Sequence, residues 1–168
     1  MSYLKLMKLM YLAEKQFLLT HGERLTGDEM VSMPYGPVLS SAYGCFMGGS
    51  EYWDSWIENP GGYDLALRSS VIVNENDPLD TFDELSLAEQ EVLNSIFNKF
   101  GNVSRWALVA KLHDLKFCPE WEDPHGSSYP IPVSALLMKN GKTKREADAI
   151  LRRLEEEEDL QAVNRELS

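Results

Sequence analysis

Apolar residues recur at helical spacing along most of the chain, and Gly and Pro divide them into short segments. The first segment, residues 2–20, is apolar around most of its circumference. Its polar residues form one stripe: Lys5, Lys8, Lys15 and Gln16. A helix with so wide an apolar surface is buried on several sides, so the pattern predicts a central helix in a bundle. Gly22 follows it where a left-handed C-cap is expected.

The next segments are shorter and carry more turn residues. Residues 25–33 predict a short strand or an extended loop. Pro37 stands where the first residue of a helix is favoured, so we expect a second helix that includes Val38 and Leu39. Ser50 then predicts the N-cap of a short third helix.

A small β element is expected in the middle of the chain. Residues 59–62, Asn-Pro-Gly-Gly, predict a chain break. Residues 62–74 alternate between apolar and polar and end in β-branched side chains, which predicts a strand or a hairpin bent near residues 68–70.

The second half of the chain is typical of helices with marked starts. Capping signals stand at Ser86 with Glu89, at Ser104, and at Thr143 with Glu146. A short helix is expected over residues 133–139 and a C-terminal helix over residues 143–164. The predicted fold is mainly α, of the α+β class, with a small inserted strand or hairpin.

Composition limits the class of protein. The chain has 168 residues, which indicates one domain over residues 1–168, and its 43% hydrophobic content excludes a disordered chain. Its 27 acidic and 16 basic residues give a net charge of −11. Such a charge repels a phosphate backbone, so we do not expect nucleic acid as the partner. The expected partner is a basic protein.

The expected location is the cytoplasm. No apolar stretch reaches the ~18 residues that a membrane span needs, and Lys5 and Lys8 interrupt the first apolar run. The two cysteines, Cys45 and Cys118, form no Cys-x-x-Cys unit, which fits a reducing compartment.

Three features of the sequence are similar to catalytic or metal-binding motifs, and each has a simpler explanation. Gly141-Lys142-Thr143 is similar to the end of a P-loop, but Leu136 stands where that motif needs Gly. His113, Cys118 and His125 suggest a zinc site or a Cys–His pair, but their spacing matches no common pattern. We therefore predict no catalytic residue, no metal and no cofactor, and interpret the chain as a protein-binding module.

Several motifs, taken in order, resemble the Panacea domain, also called the SocA-like or DUF4065 domain. The motifs run through nearly the whole chain: Lys8-Leu9-Met10-Tyr11-Leu12-Ala13, Gly22, Gly27-Asp28, Met33-Pro34-Tyr35-Gly36-Pro37-Val38, Leu85-Ser86-Leu87-Ala88-Glu89, Phe100-Gly101, Trp106-Ala107-Leu108, His113, Pro119-Glu120-Trp121 and Ile131-Pro132.

The resemblance implies an antitoxin of a bacterial or phage toxin–antitoxin pair that binds its cognate toxin directly. Two alternatives come with it: an adaptor that delivers a toxin to the Clp protease, and a phage-associated interaction protein. Family members usually carry another helix before the Lys-Leu-x-Tyr segment. Its absence here implies a truncated start or a branch without that helix, and a truncated start favours a homodimer. A DNA-binding autorepressor would instead use the basic residues near residues 142–153.

Partner contacts are expected at exposed aromatic and acidic positions. The candidates are Tyr35, Gly36, Pro37, Trp53, Trp56, His113, Trp121, Glu155 and Glu156. Other motif residues are expected to be structural: Lys8, Leu9, Tyr11, Val38 and Trp106.

Overall fold

The computed structural model describes residues 1–71, 73 and 84–166, and within these ranges helices dominate. The helices are α1 (Tyr3–His21), α2 (Ser40–Gly48), α3 (Glu51–Trp56), α4 (Leu87–Phe100), α5 (Arg105–Leu112), α6 (Val133–Lys139) and α7 (Lys144–Glu166). The strands are β1 (Met30–Ser32), β2 (Val38–Leu39), β3 (Ile57–Gly61), β4 (Asp64–Leu67) and β5 (Tyr129–Pro130). The fold is α+β and mainly helical, which confirms the predicted class.

Helix α1 is the central element. It packs against α4, α5, α2 and β2, and its side chains Tyr11 and Leu18 are fully buried. Gly22 ends it in the left-handed conformation, with its N–H donated to the Leu18 carbonyl. The predicted central helix and its cap are confirmed. Among the described helices, none is long and apolar enough to cross a membrane.

A three-stranded antiparallel sheet lies beside α1, with β1 between β2 and β5. Met30 pairs with Leu39, and Val31 pairs with Val38. The prediction that Val38 and Leu39 belong to a helix starting at Pro37 is therefore wrong. Their backbone pairs with strand β1, so α2 begins only at Ser40.

A hairpin of β3 and β4 forms the second sheet. Residues 59–62 do not break the chain as predicted, because β3 runs through them to Gly61. Pro60 is accommodated where the register shifts, since a bulge leaves a residue without a ladder bond. The β element starts earlier than the predicted residues 62–74, of which residues 72 and 74 lie outside the described part.

The chain start extends this hairpin. The Met1 amino group donates to the Leu65 carbonyl at 2.9 Å, and the Leu65 N–H donates to the Met1 carbonyl at 2.7 Å. The first residue of α1 is thereby held close to the turn between β3 and β4.

The helix starts expected from capping signals are confirmed. Ser86 and Glu89 form a complete capping box, and the side chains of Ser50 and Ser104 accept backbone N–H groups of their helices. Thr143 and Glu146 exchange the same kind of bonds before α7. These caps satisfy N–H groups that a helix start would otherwise leave without partners.

Two lysines of the polar stripe of α1 are buried, which its pattern did not indicate. Lys8 is fully buried and Lys15 is 8% exposed. All three lysines of the stripe donate to backbone carbonyls of loops that cover the helix. Lys5 donates to the Gly101 carbonyl, Lys8 to two carbonyls of the β1–β2 turn, and Lys15 to the Phe117 carbonyl.

The buried carboxylate of Glu120 collects the largest set of these bonds. It lies 2.7 Å from the Lys15 ammonium and accepts from the Tyr11 hydroxyl and, at 2.9 Å, from the Asn140 amide. Burial alone would raise the pKa of this carboxyl, but the bonds from Lys15, Tyr11 and Asn140 outweigh burial and hold the pKa below its ordinary value. Glu120 thus joins α1 to the end of α6.

We expect Glu120→Gln to lower the free energy of unfolding by about 3 kcal/mol at pH 7, because the substitution leaves the Lys15 ammonium buried without a counter-charge. The folded-state pKa of Glu120 lies below the unfolded one. Its ionic contribution is therefore present above the ordinary carboxyl pKa and is lost as the pH falls through the lowered value. Urea unfolding at neutral and acidic pH measures both effects.

Glu122→Gln is the matched control. This carboxylate also accepts from a lysine, Lys139 at 2.8 Å, but it is exposed, so its loss should leave the urea midpoint unchanged. Equal stability of the two variants would contradict the assigned role of Glu120.

Candidate protein-binding surface

The turn between β1 and β2 requires glycine at one position. The Gly36 N–H donates to the Met33 carbonyl at 2.9 Å, and Gly36 has a φ of 88°. A Cβ built there would lie 3.3 Å from the Leu112 Cβ and 3.5 Å from the Lys8 Nζ. Backbone conformation and lack of space both favour Gly, which fixes the shape of the turn.

Two side-chain donors, one buried and one partly buried, bond to carbonyls of this turn. The Lys8 Nζ donates to the carbonyls of Gly36 at 2.7 Å and Pro37 at 2.9 Å. The indole N–H of Trp121 donates to the Met33 carbonyl at 3.1 Å. Burial lowers the pKa of Lys8 to about 7.

Of the three predicted contact residues in this turn, one is exposed. Tyr35 between β1 and Gly36 is 58% exposed. Gly36 and Pro37 are buried, and Gly36 lies against Lys8 of α1 and Leu112 of α5. They shape the turn, and a partner contact through them stays a prediction that their burial does not support.

Tyr35 meets the first turn of α5. Its ring lies 6.0 Å from that of Trp106, at an interplanar angle of 65°. The Arg105 guanidinium lies 5.5 Å from the centre of the Trp106 ring. Trp106, which the resemblance assigned to the structural set, is 56% exposed. Its ring is therefore a surface feature supported by Tyr35 and Arg105.

A second pair of aromatic rings faces this one. Tyr3, at the start of α1, lies 5.9 Å from Tyr63 in the β3–β4 turn and stacks on Phe46 of α2 at 4.0 Å. The Tyr3 N–H also donates to the Tyr63 carbonyl at 2.8 Å. Partial burial and the neighbouring tyrosines raise the pKa of Tyr3, and Arg105 opposes that rise.

Together these side chains enclose a cleft of about 310 Å³, named here the aromatic groove. Its lining consists of Tyr3, Leu4, Tyr35, Tyr63, Arg105 and Trp106. Exposed aromatic rings beside an arginine are the side chains most enriched among energetically important contacts of protein interfaces. The groove is therefore the candidate binding surface.

The other predicted contact residues lie elsewhere. Trp53 and Trp56 are half-buried on α3. The rings of His113 and Trp121 are in contact, with centres 4.3 Å apart and planes tilted by 42°, and the Trp121 indole bonds to the β1–β2 turn. Glu155 and Glu156 are exposed on α7. Leu9, Tyr11 and Val38 are in the core.

Sequence reasoning missed four members of the aromatic groove, Tyr3, Leu4, Tyr63 and Arg105, and expected Trp106 to be structural. The two tyrosines converge only through strand pairing at the chain start. The Arg-Trp pair at the start of α5 was the one local signal that could have indicated the site.

Two of the residues considered for a catalytic or metal site, Cys118 and His113, have pKa values shifted by their surroundings. Burial, assisted by Glu120, raises the pKa of the Cys118 thiol to about 12, so the thiolate that a nucleophile needs does not form at neutral pH. Burial and the Lys8 charge lower the pKa of His113. Within the described ranges, no group of three or more His, Cys, Asp or Glu side chains is placed to hold a metal ion.

Comparison with known proteins gives one finding. A family model described as "Antitoxin SocA-like, Panacea domain" matches residues 6–122, more than two thirds of the chain. The match contains Tyr35, Tyr63, Arg105 and Trp106 of the aromatic groove, and it ends before α6 and α7. No curated protein and no solved structure gave a significant match.

Replacing Lys8 with Met tests how the turn is held. Lys8→Met leaves the Gly36 and Pro37 carbonyls buried without donors, so we expect a loss of about 2 kcal/mol at pH 7. The pKa of Lys8 is about 7 in the folded chain and near 10.5 when unfolded. The unfolded chain therefore binds more protons between these values. Wild-type stability relative to Lys8→Met should then rise with pH across that window, by up to about 1.4 kcal/mol per unit.

Urea unfolding of both proteins at pH 7, 8 and 9 measures this rise. Lys116→Met, at an exposed lysine, is the control and should keep the wild-type pH dependence. A wild-type to Lys8→Met difference that stays constant with pH would refute the buried, deprotonating amine.

Proposed function

Since the chain belongs to the SocA-like Panacea family of antitoxins, we propose that it neutralises a cognate protein toxin by direct binding, without catalysis. The observation that carries this proposal is the aromatic groove. Three of its rings, those of Tyr35, Tyr63 and Trp106, are exposed, and each wall is held by hydrogen-bonded or stacked groups. Rigid aromatic side chains bury much area on binding at little cost in conformational entropy.

Charge supports a basic toxin as the partner. The net charge of −11 creates a field that accelerates encounter with a positive protein. Glu155 and Glu156 belong to an acidic run on α7 and have exposed side chains. We assign the aromatic groove to affinity and the acidic face of α7 to the rate of encounter in the cytoplasm.

Co-expression tests the proposal. The gene next to this one in the genome, when it encodes a protein that stops growth alone, should be neutralised by the wild-type chain. The double variant Tyr35→Ala/Trp106→Ala should bind at least tenfold more weakly, because it removes two anchoring rings, and should fail to restore growth. Growth curves and gel filtration of the purified pair provide the readouts.

Tyr52→Ala is the matched control, because Tyr52 is 77% exposed on α3 and lies outside the groove lining. It should restore growth like the wild type. Rescue that persists in a strain without the Clp protease supports direct neutralisation over the adaptor role. Rescue by the double variant equal to the wild type would rule out the groove as the toxin site.

The acidic face has its own test. Glu155→Gln/Glu156→Gln should slow association with the toxin several-fold at low salt, and the effect should vanish near 1 M salt, where the screening length is about 3 Å. Stopped-flow association rates measure this. Glu51→Gln/Glu91→Gln removes the same charge from exposed positions on α3 and α4. An equal slowing in this control would mean that net charge, not the α7 face, sets the rate.

A further inference from the structure

The aromatic groove has the size and lining of a site for a short extended peptide. Its volume of about 310 Å³ is at the small end of the ~300–1,000 Å³ that ligand pockets have. An α-helix with its side chains is about 10 Å across and needs a wider cleft. A few residues of one extended segment are a better match for the space.

The arrangement of the aromatic rings indicates which backbone conformation the bound segment has. Two ring pairs, Tyr35 with Trp106 and Tyr3 with Tyr63, have centres 6.0 and 5.9 Å apart within each pair and line one cleft. Grooves lined by Tyr and Trp bind proline-containing segments in the polyproline II conformation, whose rings stack on aromatic faces. That conformation makes no internal hydrogen bonds, so its carbonyls are free to accept from tyrosine hydroxyls.

Arg105 adds a charge requirement. Arg105 is a partly exposed residue whose guanidinium lies beside the Trp106 ring, and among the described residues no carboxylate lies within ion-pair distance of it. In a chain of net charge −11, an acidic segment is repelled from most of the surface. A carboxylate of the partner can still bind beside Arg105, because the guanidinium pairs with it and Arg is well suited to carboxylate pairing.

We propose that the aromatic groove binds an extended, proline-containing segment of the partner whose carboxylate side chain pairs with Arg105. This inference rests on the proposed function, since it names the part of the toxin that the groove takes. The acidic face of α7 attracts the partner as a whole, and the groove selects one segment of it.

Titration of the full chain with defined peptides tests the proposal. The probe is a capped pentapeptide of four prolines around a central glutamate, and the matched peptides carry glutamine at the centre or alanine in place of the prolines. Indole N–H resonances in two-dimensional NMR report the site of binding. The Trp106 signal should shift and saturate at millimolar peptide, while the signal of Trp121, which lies behind the turn, should not follow it.

The glutamine peptide should bind about two- to fivefold more weakly than the glutamate peptide, as expected for a partly exposed ion pair. Arg105→Gln should abolish this preference, whereas Arg152→Gln, at an exposed arginine of α7, should retain it. The proposal fails if Trp106 does not saturate, if the alanine peptide binds equally well, or if Arg105→Gln keeps the preference. It also fails if Trp106 shifts with protein concentration alone, because a second copy then fills the groove.

The two levels of the proposal are separable. If the peptides do not bind but Tyr35→Ala/Trp106→Ala loses toxin rescue, the groove is the toxin site and the proline–carboxylate occupant is wrong. If the peptides bind with the expected preference but no neighbouring toxin is neutralised, the peptide site stands and the antitoxin function is refuted.

Discussion

The buried carboxylate of Glu120 is the contact on which much of this architecture depends. It accepts from Lys15 and Tyr11 on α1 and from Asn140 at the end of α6. A buried charge is tolerated because an opposite charge and several hydrogen bonds replace the water it loses. The carboxylate also fixes the loop after α5, and the next residue along that loop, Trp121, donates to the β1–β2 turn.

Polar side chains packed beneath the surface fix the β1–β2 turn, which carries Tyr35 of the aromatic groove. Lys8 donates to the Gly36 and Pro37 carbonyls and Trp121 donates to the Met33 carbonyl, so Tyr35 projects from a turn that is bonded on both sides of it in sequence. On the other wall of the aromatic groove, stacking on Phe46 fixes the position of the Tyr3 ring. A surface fixed before binding loses less conformational freedom on contact with a partner, which favours affinity.

Local signals in the sequence predicted the helices well, and distant pairings were missed. The capping boxes at Ser86 and Thr143 depend on residues within one helical turn, so the sequence contains all their partners. Val38 and Leu39 are compatible with a helix as well as with a strand. Their conformation is decided by pairing with β1, which comes from an earlier part of the chain. Two residues are too few for the alternation that identifies a strand.

The same distinction explains the candidate site. Tyr35 was predicted because Pro and Gly around it mark a turn, but Lys8 and Tyr11 find their partners 28 and 109 residues away, beyond the reach of any periodicity. Trp106 shares a family motif with the fully buried Leu108 and yet is 56% exposed. The family motifs therefore serve two purposes at different depths. Buried polar residues fix the backbone, and the aromatic residues beside them remain at the surface, where a partner can be bound.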